Sequence, residues 1–366
     1  MRIGIVGASG FIGNRAIEML QTAGHEVCAI VRSTDSLERL EQQDVETKIA
    51  SAFESDALQK AFQDCEVIIH SILGSPGLIR GSVAPTYQAA KKAGIRRLIY
   101  LSSMTVHRSA PAPGTTEASP FVEPQPFPAH TAKIDAERKL MKLRQQGAIE
   151  VVIFRPGIVF GPRSRWVIDL ANQLSEGTAY FVNNGKGICN SVYIDNLIHA
   201  IQLAFTVPVA DGEAFFVGDR EQVTWFDFYR PFAEALGIDP TQIPNLIAPE
   251  FSHSWKENII GSVWNAQFTQ RVLARLSPDL KQRIASLRRP TQNGYQPFRK
   301  TPQPVVTEMM AELQGSQYKL PINKAVRLLG YEPIVSFEEG CQRSIEWLAK
   351  SGRYSINPRL STPNYG

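Results

Sequence analysis

The chain has 366 residues, 43% of them hydrophobic and 20% charged, with a formal net charge of +4. That length exceeds one ordinary domain, and the composition is that of a folded globular protein, which excludes a disordered or collagen-like chain. The small positive charge permits an anionic substrate but is too sparse for a nucleic-acid face, so no nucleic-acid partner is expected.

In chain order, a short apolar run from Arg2 to Val6 breaks into Gly7-Ala8-Ser9-Gly10-Phe11-Ile12-Gly13. It resumes with helical periodicity to Ala23, and a strand runs from Glu26 to Arg32. This is the sequence form of a βαβ unit opening on a glycine-rich turn, which holds a dinucleotide. Gly7 permits the tight turn, Gly10 lets the backbone approach a pyrophosphate, and Gly13 lets helix and strand pack closely. The N–H groups of the helix start, at Phe11 and Ile12, attract the anion, and Ser9 adds a hydroxyl. At the end of the second strand an NAD site usually places an acid for the ribose 2′-hydroxyl. Here Arg32, Ser33 and Thr34 come before the first acid, Asp35. The reading is therefore NADP(H) in preference to NAD(H), with Arg32 on the 2′-phosphate and Ser33 or Thr34 assisting.

Helix and strand then alternate: Ser55 to Phe62 is helical, Glu66 to His70 a strand, Thr86 to Ala93 helical, and Arg97 to Leu101 a strand. This predicts an α/β fold with a parallel, doubly wound Rossmann-type sheet, whose ligands bind beyond the carboxyl ends of the strands. Ser71, Ile72 and Leu73 after one strand, and Ser102 and Ser103 after the next, are accordingly expected at the site. Ala110 to Pro128, rich in proline and small residues, reads as a long loop of the kind that forms lids. A helix from Ala129 to Gln146 closes on Gly147, and the strand Glu150 to Phe154 leads into Arg155-Pro156-Gly157-Ile158. Arg163 and Asn184 follow in loops as candidate substrate contacts. Asp195 fits an N-terminal cap, and Ser336 with Glu339 a capping box.

Cys28, Cys65, Cys189 and Cys341 lack metal-like spacing and read as buried free thiols, so no metal site is expected. Met1 and Arg2 run directly into the first strand and no apolar stretch spans a bilayer, so neither signal peptide nor membrane contact is expected, and the location reads as cytoplasmic. A homodimer is allowed.

The glycine turn, Ser102-Ser103, Lys133, Arg155-Pro156-Gly157 through Gly161-Pro162 and Val192-Tyr193-Ile194-Asp195-Asn196 stand in a characteristic order. Leu329-Gly330-Tyr331-Glu332-Pro333, Ser336 to Gly340 and Trp347 continue it. In these landmarks the chain resembles the extended short-chain dehydrogenase/reductase family, in its nucleotide-sugar epimerase/dehydratase branch. The resemblance implies a dinucleotide-binding domain over 1–165, to which 186–220 returns. A smaller, mainly helical substrate lobe would comprise 166–185 and 221–350, and 351–366 would be a loosely held tail. Within that lobe, the stretch with Trp225, Trp255 and Trp264 and the basic run from Arg271 to Lys300 reads as a solvated helix face, a nucleotide diphosphate contact or a partner surface.

The resemblance also implies redox chemistry by Ser or Thr, Tyr and Lys, the last two four residues apart on one helix face. Ser103 matches the first and Lys133, which also holds the nicotinamide ribose, matches the last, with Pro156, Gly157 and Ile158 beside the cofactor. Where the Tyr belongs stands Ala129. Three explanations compete: His130 moves the proton; Tyr193, an acid of the lobe or water does so; or redox turnover is lost. His107, where the family often has Tyr, reads as a loop residue or a substrate contact. Phe53, in a segment lacking the family's usual Asp, is expected to hold the adenine. The implied function is an NADP(H)-dependent oxidoreductase acting on a carbonyl or secondary alcohol of a nucleotide sugar or small specialised metabolite. An epimerase or dehydratase that recycles its cofactor, and a non-redox or catalytically silent NADP-binding protein, are the alternatives.

Overall fold

In the computed structural model, which describes residues 1–40, 43–251 and 303–356, the apolar runs of the first half pair into one parallel sheet. The elements are β1 (Arg2–Val6), α1 (Phe11–Thr22), β2 (Glu26–Val31), α2 (Thr34–Leu37), β3 (Glu46–Ile49), α3 (Ser55–Ala61), β4 (Val67–His70), α4 (Pro76–Lys92), β5 (Arg97–Leu101), α5 (Pro128–Arg144) and β6 (Glu150–Pro156). After them come β7 (Ile158–Phe160), α6 (Arg165–Glu176), β8 (Phe181–Val182), β9 (Ile188–Cys189), β10 (Ser191–Tyr193), α7 (Ile194–Leu203) and β11 (Ala214–Val217). The order β11-β6-β5-β4-β1-β2-β3 is parallel at every pair and reverses direction between β1 and β4, where such sheets open their ligand crevice.

Side chains alternate along each strand, so the sheet buries both faces. Ile3, Ile5, Ile99 and Leu101 join the cluster beneath α1 and α7, while Val6, Ile68, Leu98 and Tyr100 join the one beneath α4 and α5. The rest of the chain supplies β12 (Val223–Thr224), α8 (Trp225–Ala235), β13 (Asn245–Leu246), α9 (Glu308–Gly315), α10 (Asn323–Leu329) and α11 (Phe337–Lys350). Trp225, Phe228 and Phe232 of α8 and Leu348 of α11 belong to the same cluster as Ile3 and Ile5, so this lobe shares a core with the sheet.

Three local expectations are corrected. Helix α4 starts at Pro76, well before Thr86, because Ser75 caps it by accepting the Leu78 N–H and Pro76 fits the first turn. Pro85 inside it is tolerated because α4 packs along α5 and buries Ile79, Val83 and Tyr87. Asp195 is not the cap of α7; that position is Tyr193, and Asp195 stands in the first turn bound to two arginines. Of the box at Ser336 only half forms, Ser336 accepting from the Glu339 N–H while the Glu339 carboxylate accepts from Arg343.

Trp255, Trp264, the basic run from Arg271 to Lys300 and the tail beyond 356 lie outside the described residues. Among those described, no helix is long and apolar enough to cross a membrane, and no group of three or more His, Cys, Asp or Glu residues is placed to hold a metal. All four cysteines are buried and free.

Candidate active site

The glycine turn sits at the β1/β4 switch. Gly7 has φ +87°, and a Cβ there would come within 3.1 Å of Ser71 Oγ. A Cβ on Gly13 would lie 2.5 Å from the Gly7 carbonyl, so α1 can approach β1 this closely only without a side chain. Helix α1 begins with no side-chain cap and no acid in its first turn, which leaves the N–H groups of Phe11 and Ile12 for an external anion. These features fit a dinucleotide, with Ser9 half-buried beside the pyrophosphate position.

Arg32 follows β2 exposed, and among the described residues it makes no ion pair. Ser33 stands at the N-cap position of α2 without a side-chain capping bond, and its hydroxyl lies 3.2 Å from that of Ser36. Phe53 packs its ring onto α4 at Gly81. Ser71 bonds the Val6 carbonyl, tying the two strand ends together, Ile72 is half-buried, and Leu73 is 80% exposed at the crevice. Pro156 ends β6, and the N–H groups of Gly157 and Ile158 donate to Val217 and Asn190.

At the end of β5, Ser103 caps a single 3₁₀ turn, its Oγ accepting from the Thr105 N–H at 3.2 Å and the Thr105 hydroxyl at 3.0 Å. With its lone pairs engaged, its own hydrogen is free to be donated. Ser102 is buried and its hydroxyl has no partner. Lys133 on α5 reaches the Leu101 carbonyl at 2.6 Å, two residues before Ser103, and lies 5.0 Å from the centre of the Tyr100 ring. Burial lowers its pKa to about 8, partly opposed by Glu137 one turn further along α5.

Ala129 is half-buried at the start of α5, four residues before Lys133, with a methyl where a phenol would act. His130, stacked edge-on to Phe127 at 4.9 Å, is pushed down to about 4 by burial. At neutral pH it is therefore an uncharged imidazole, which works against its expected role as proton donor. Tyr193 is corrected as a donor and as a substrate contact. It is 2% exposed, packs on Phe160 at 5.4 Å in the opposite face cluster, and burial pushes its phenol up to about 12. The phenol that does accompany Lys133 is Tyr100, one strand residue before Leu101, but it is enclosed and pushed well above the ordinary range.

In the structure His107 fits the loop reading and not the substrate contact. It is 2% exposed and bonded through Nε2 to Arg155, so it holds the loop instead of a substrate. Arg155 is the centre of this arrangement, bonding Glu137 through Nε and Nη2 and the Glu117 carbonyl through Nη1, with its guanidinium 5.2 Å from the Phe121 ring. The Glu117 carboxylate accepts from the Phe216 N–H of β11. The long loop expected as a lid is thus fastened to β6 and β11. The signal missed in the sequence was the spacing of Lys133 and Glu137, one turn apart on α5. Asn184 stands exposed in the lobe, its N–H bonded to Asn245, and Arg163 turns onto the outer side of α1, bonding Asn14.

An NAD(P)H-binding family model matches residues 7–173. A 2-alkyl-3-oxoalkanoate reductase of Shewanella oneidensis is 22% identical, over 93% of this chain and 84% of that protein. A UDP-glucose 4-epimerase of Vibrio cholerae is 28% identical over 61% of this chain and 68% of its own. Among solved structures, a UDP-glucose 4-epimerase of Thermotoga maritima superposes with a TM-score of 0.67 at 18% identity, covering 96% of this chain and 100% of that one. A dTDP-glucose 4,6-dehydratase of Bacillus anthracis, solved with NAD, gives 0.67 at 14% identity over 96% and 97%.

Proposed function

We propose that the chain is an NADP(H)-dependent oxidoreductase of the extended short-chain dehydrogenase/reductase type, a reading supported by its NAD(P)H-binding match and its similarity to reductases and epimerases. Its substrate would be a carbonyl or secondary alcohol of a nucleotide sugar or small specialised metabolite. The observation that carries the reading is the Lys133 ammonium held on the Leu101 carbonyl, two residues before Ser103 at the end of β5 and two strands from the glycine turn. Gly7, Gly10 and Gly13 with the α1 start would hold the pyrophosphate, Arg32 the 2′-phosphate, and Lys133 the nicotinamide ribose. Bound there, the dinucleotide supplies the hydride. Ser103 orients the substrate oxygen by donating its hydroxyl hydrogen, while the Lys133 ammonium stabilises negative charge nearby. With Ala129 in place of a phenol and His130 uncharged, water is the proton source this site favours.

The test is paired titration of NADPH and NADH, followed by NADPH absorbance with 3-oxoacids and nucleotide sugars. Tighter NADPH binding and net consumption are expected. Tighter NADH binding would remove the role of Arg32. Sugar conversion without net consumption would favour the epimerase or dehydratase reading, and binding without any product a silent dinucleotide-binding protein.

A further inference from the structure

A groove of 660 Å³ runs over the outer side of α1. The helix turns Gly13, Ala16, Ile17 and Leu20 to the sheet, whereas the groove touches Phe11, Asn14, Arg15 and Glu18, which the helical repeat places on the opposite side. The helix itself therefore stands between this groove and the sheet. Ser9, Gly10 and Phe11, at its lip, are shared with the glycine turn.

Four guanidiniums line it: Arg15, Arg39, Arg163 and Arg343. Two are fixed by one enclosed carboxylate. Asp195, 3% exposed, accepts from Arg15 at 2.7 and 2.8 Å and from Arg343 at 3.2 Å. Arg163 donates to Asn14 Oδ1 at 2.7 Å from a backbone with φ +70°, a conformation that non-glycine residues adopt at some cost and that gathers at ligand clamps. Arg39 forms no ion pair among the described residues. Among the described residues Glu18, which faces both Arg15 and Arg163, Asp195 and Glu339 stand against these four cations, which leaves a positive surplus of one. The half-buried Trp347 adds an aromatic wall, and the volume is that of a small-molecule site.

The geometry points to a second ligand site in this groove, for a phosphorylated heterocycle of mononucleotide size, with Arg39 and Arg163 on the phosphate and Trp347 against the ring. It goes beyond the oxidoreductase reading and does not require it. The test is calorimetric titration of ADP into the full chain saturated with NADPH, which blocks the glycine turn. Saturable ADP binding is expected, weakened about tenfold or more by Trp347→Leu and by Arg163→Asn, the latter keeping a residue that tolerates the left-handed backbone. NADPH affinity should stay unchanged in both variants, which also reports that they fold. No ADP uptake by the loaded protein, or uptake that both variants leave unaltered, would overturn the site. If the chain took up no NADPH, the oxidoreductase reading would fall. ADP titration of the bare protein and the same two variants would still decide this one: loss in the variants supports it and indifference overturns it.

Discussion

Lys133 is fully enclosed, with one carbonyl partner and an aromatic face for its ammonium, and its pKa of about 8 leaves it charged at neutral pH. What the site lacks is a phenol at 129, and the remedy can be written into the same helix. Ala129→Tyr restores the i, i+4 pair with Lys133, and NADPH turnover is expected to rise by about a hundredfold, the contribution of one positioned acid. His130→Phe, by contrast, should leave turnover within about threefold, because an imidazole with a pKa of about 4 is not the acid at pH 7. A collapse of turnover in His130→Phe would return the proton to that residue. Ser103→Ala should cost about a hundredfold or more, the usual loss for one oxyanion donor, measured as kcat. The gap at Ala129 could be read from the sequence because helical spacing is local. The neutrality of His130 could not, because it depends on what encloses the ring.

The same division between local and distant holds for whole elements. The β1 turn and α1 are adjacent in sequence, so Gly7, Gly10 and Gly13 announced their geometry directly. Arg15, Asp195 and Arg343 are separated by 180 and 148 positions, and each reads alone as a surface charge or a cap; only the packing of α1, α7 and α11 makes them one cluster. The start of α4, expected at Thr86 and found at Pro76, differs for the opposite reason, since the local effect of Pro85 is overridden by burial of α4 against α5. Among these long-range contacts the Arg155–Glu137 pair joins β6 to α5 and carries the loop over 108–127, with side chains 6% and 2% exposed. Arg155→Met strands the Glu137 carboxylate and should lower unfolding stability by about 3–5 kcal/mol in denaturant titration. Adding Glu137→Leu removes the stranded charge, and the double variant should recover much of that loss. Additive losses would show that the pair contributes little beyond its packing.

Across the whole molecule, acid should open one layer before the other. His70, bonded to Ser82 of α4, is pushed by burial to about 3; His107, enclosed and facing Arg155, and His130, enclosed at the head of α5, are pushed to about 4. The unfolded chain protonates these rings near pH 6.5, as free imidazoles do. Between about pH 6.5 and 4 the unfolded state thus binds more protons, so stability rises with pH in that window. It is fully present above 6.5 and lost as pH falls towards 4. Asp219, whose burial raises its pKa, pulls the other way, while Asp211, held low by Arg144, adds its own loss at still lower pH. Lys133 acts only at the alkaline end, where the folded chain sheds its proton near 8 before the unfolded one and stability rises with pH. All three strongly lowered imidazoles lie on the α4/α5 side or in the loop fastened to it, whereas His25 and His199, on the α1/α7 side, are lowered with less burial behind them. Amide exchange measured from pH 6.5 to 4.5 should therefore show α5 losing protection before α1, and His130→Phe should flatten the fall in melting temperature across the same range. Simultaneous loss in both helices, with an unaltered slope in the variant, would mean that acid attacks the shared core and not these buried rings.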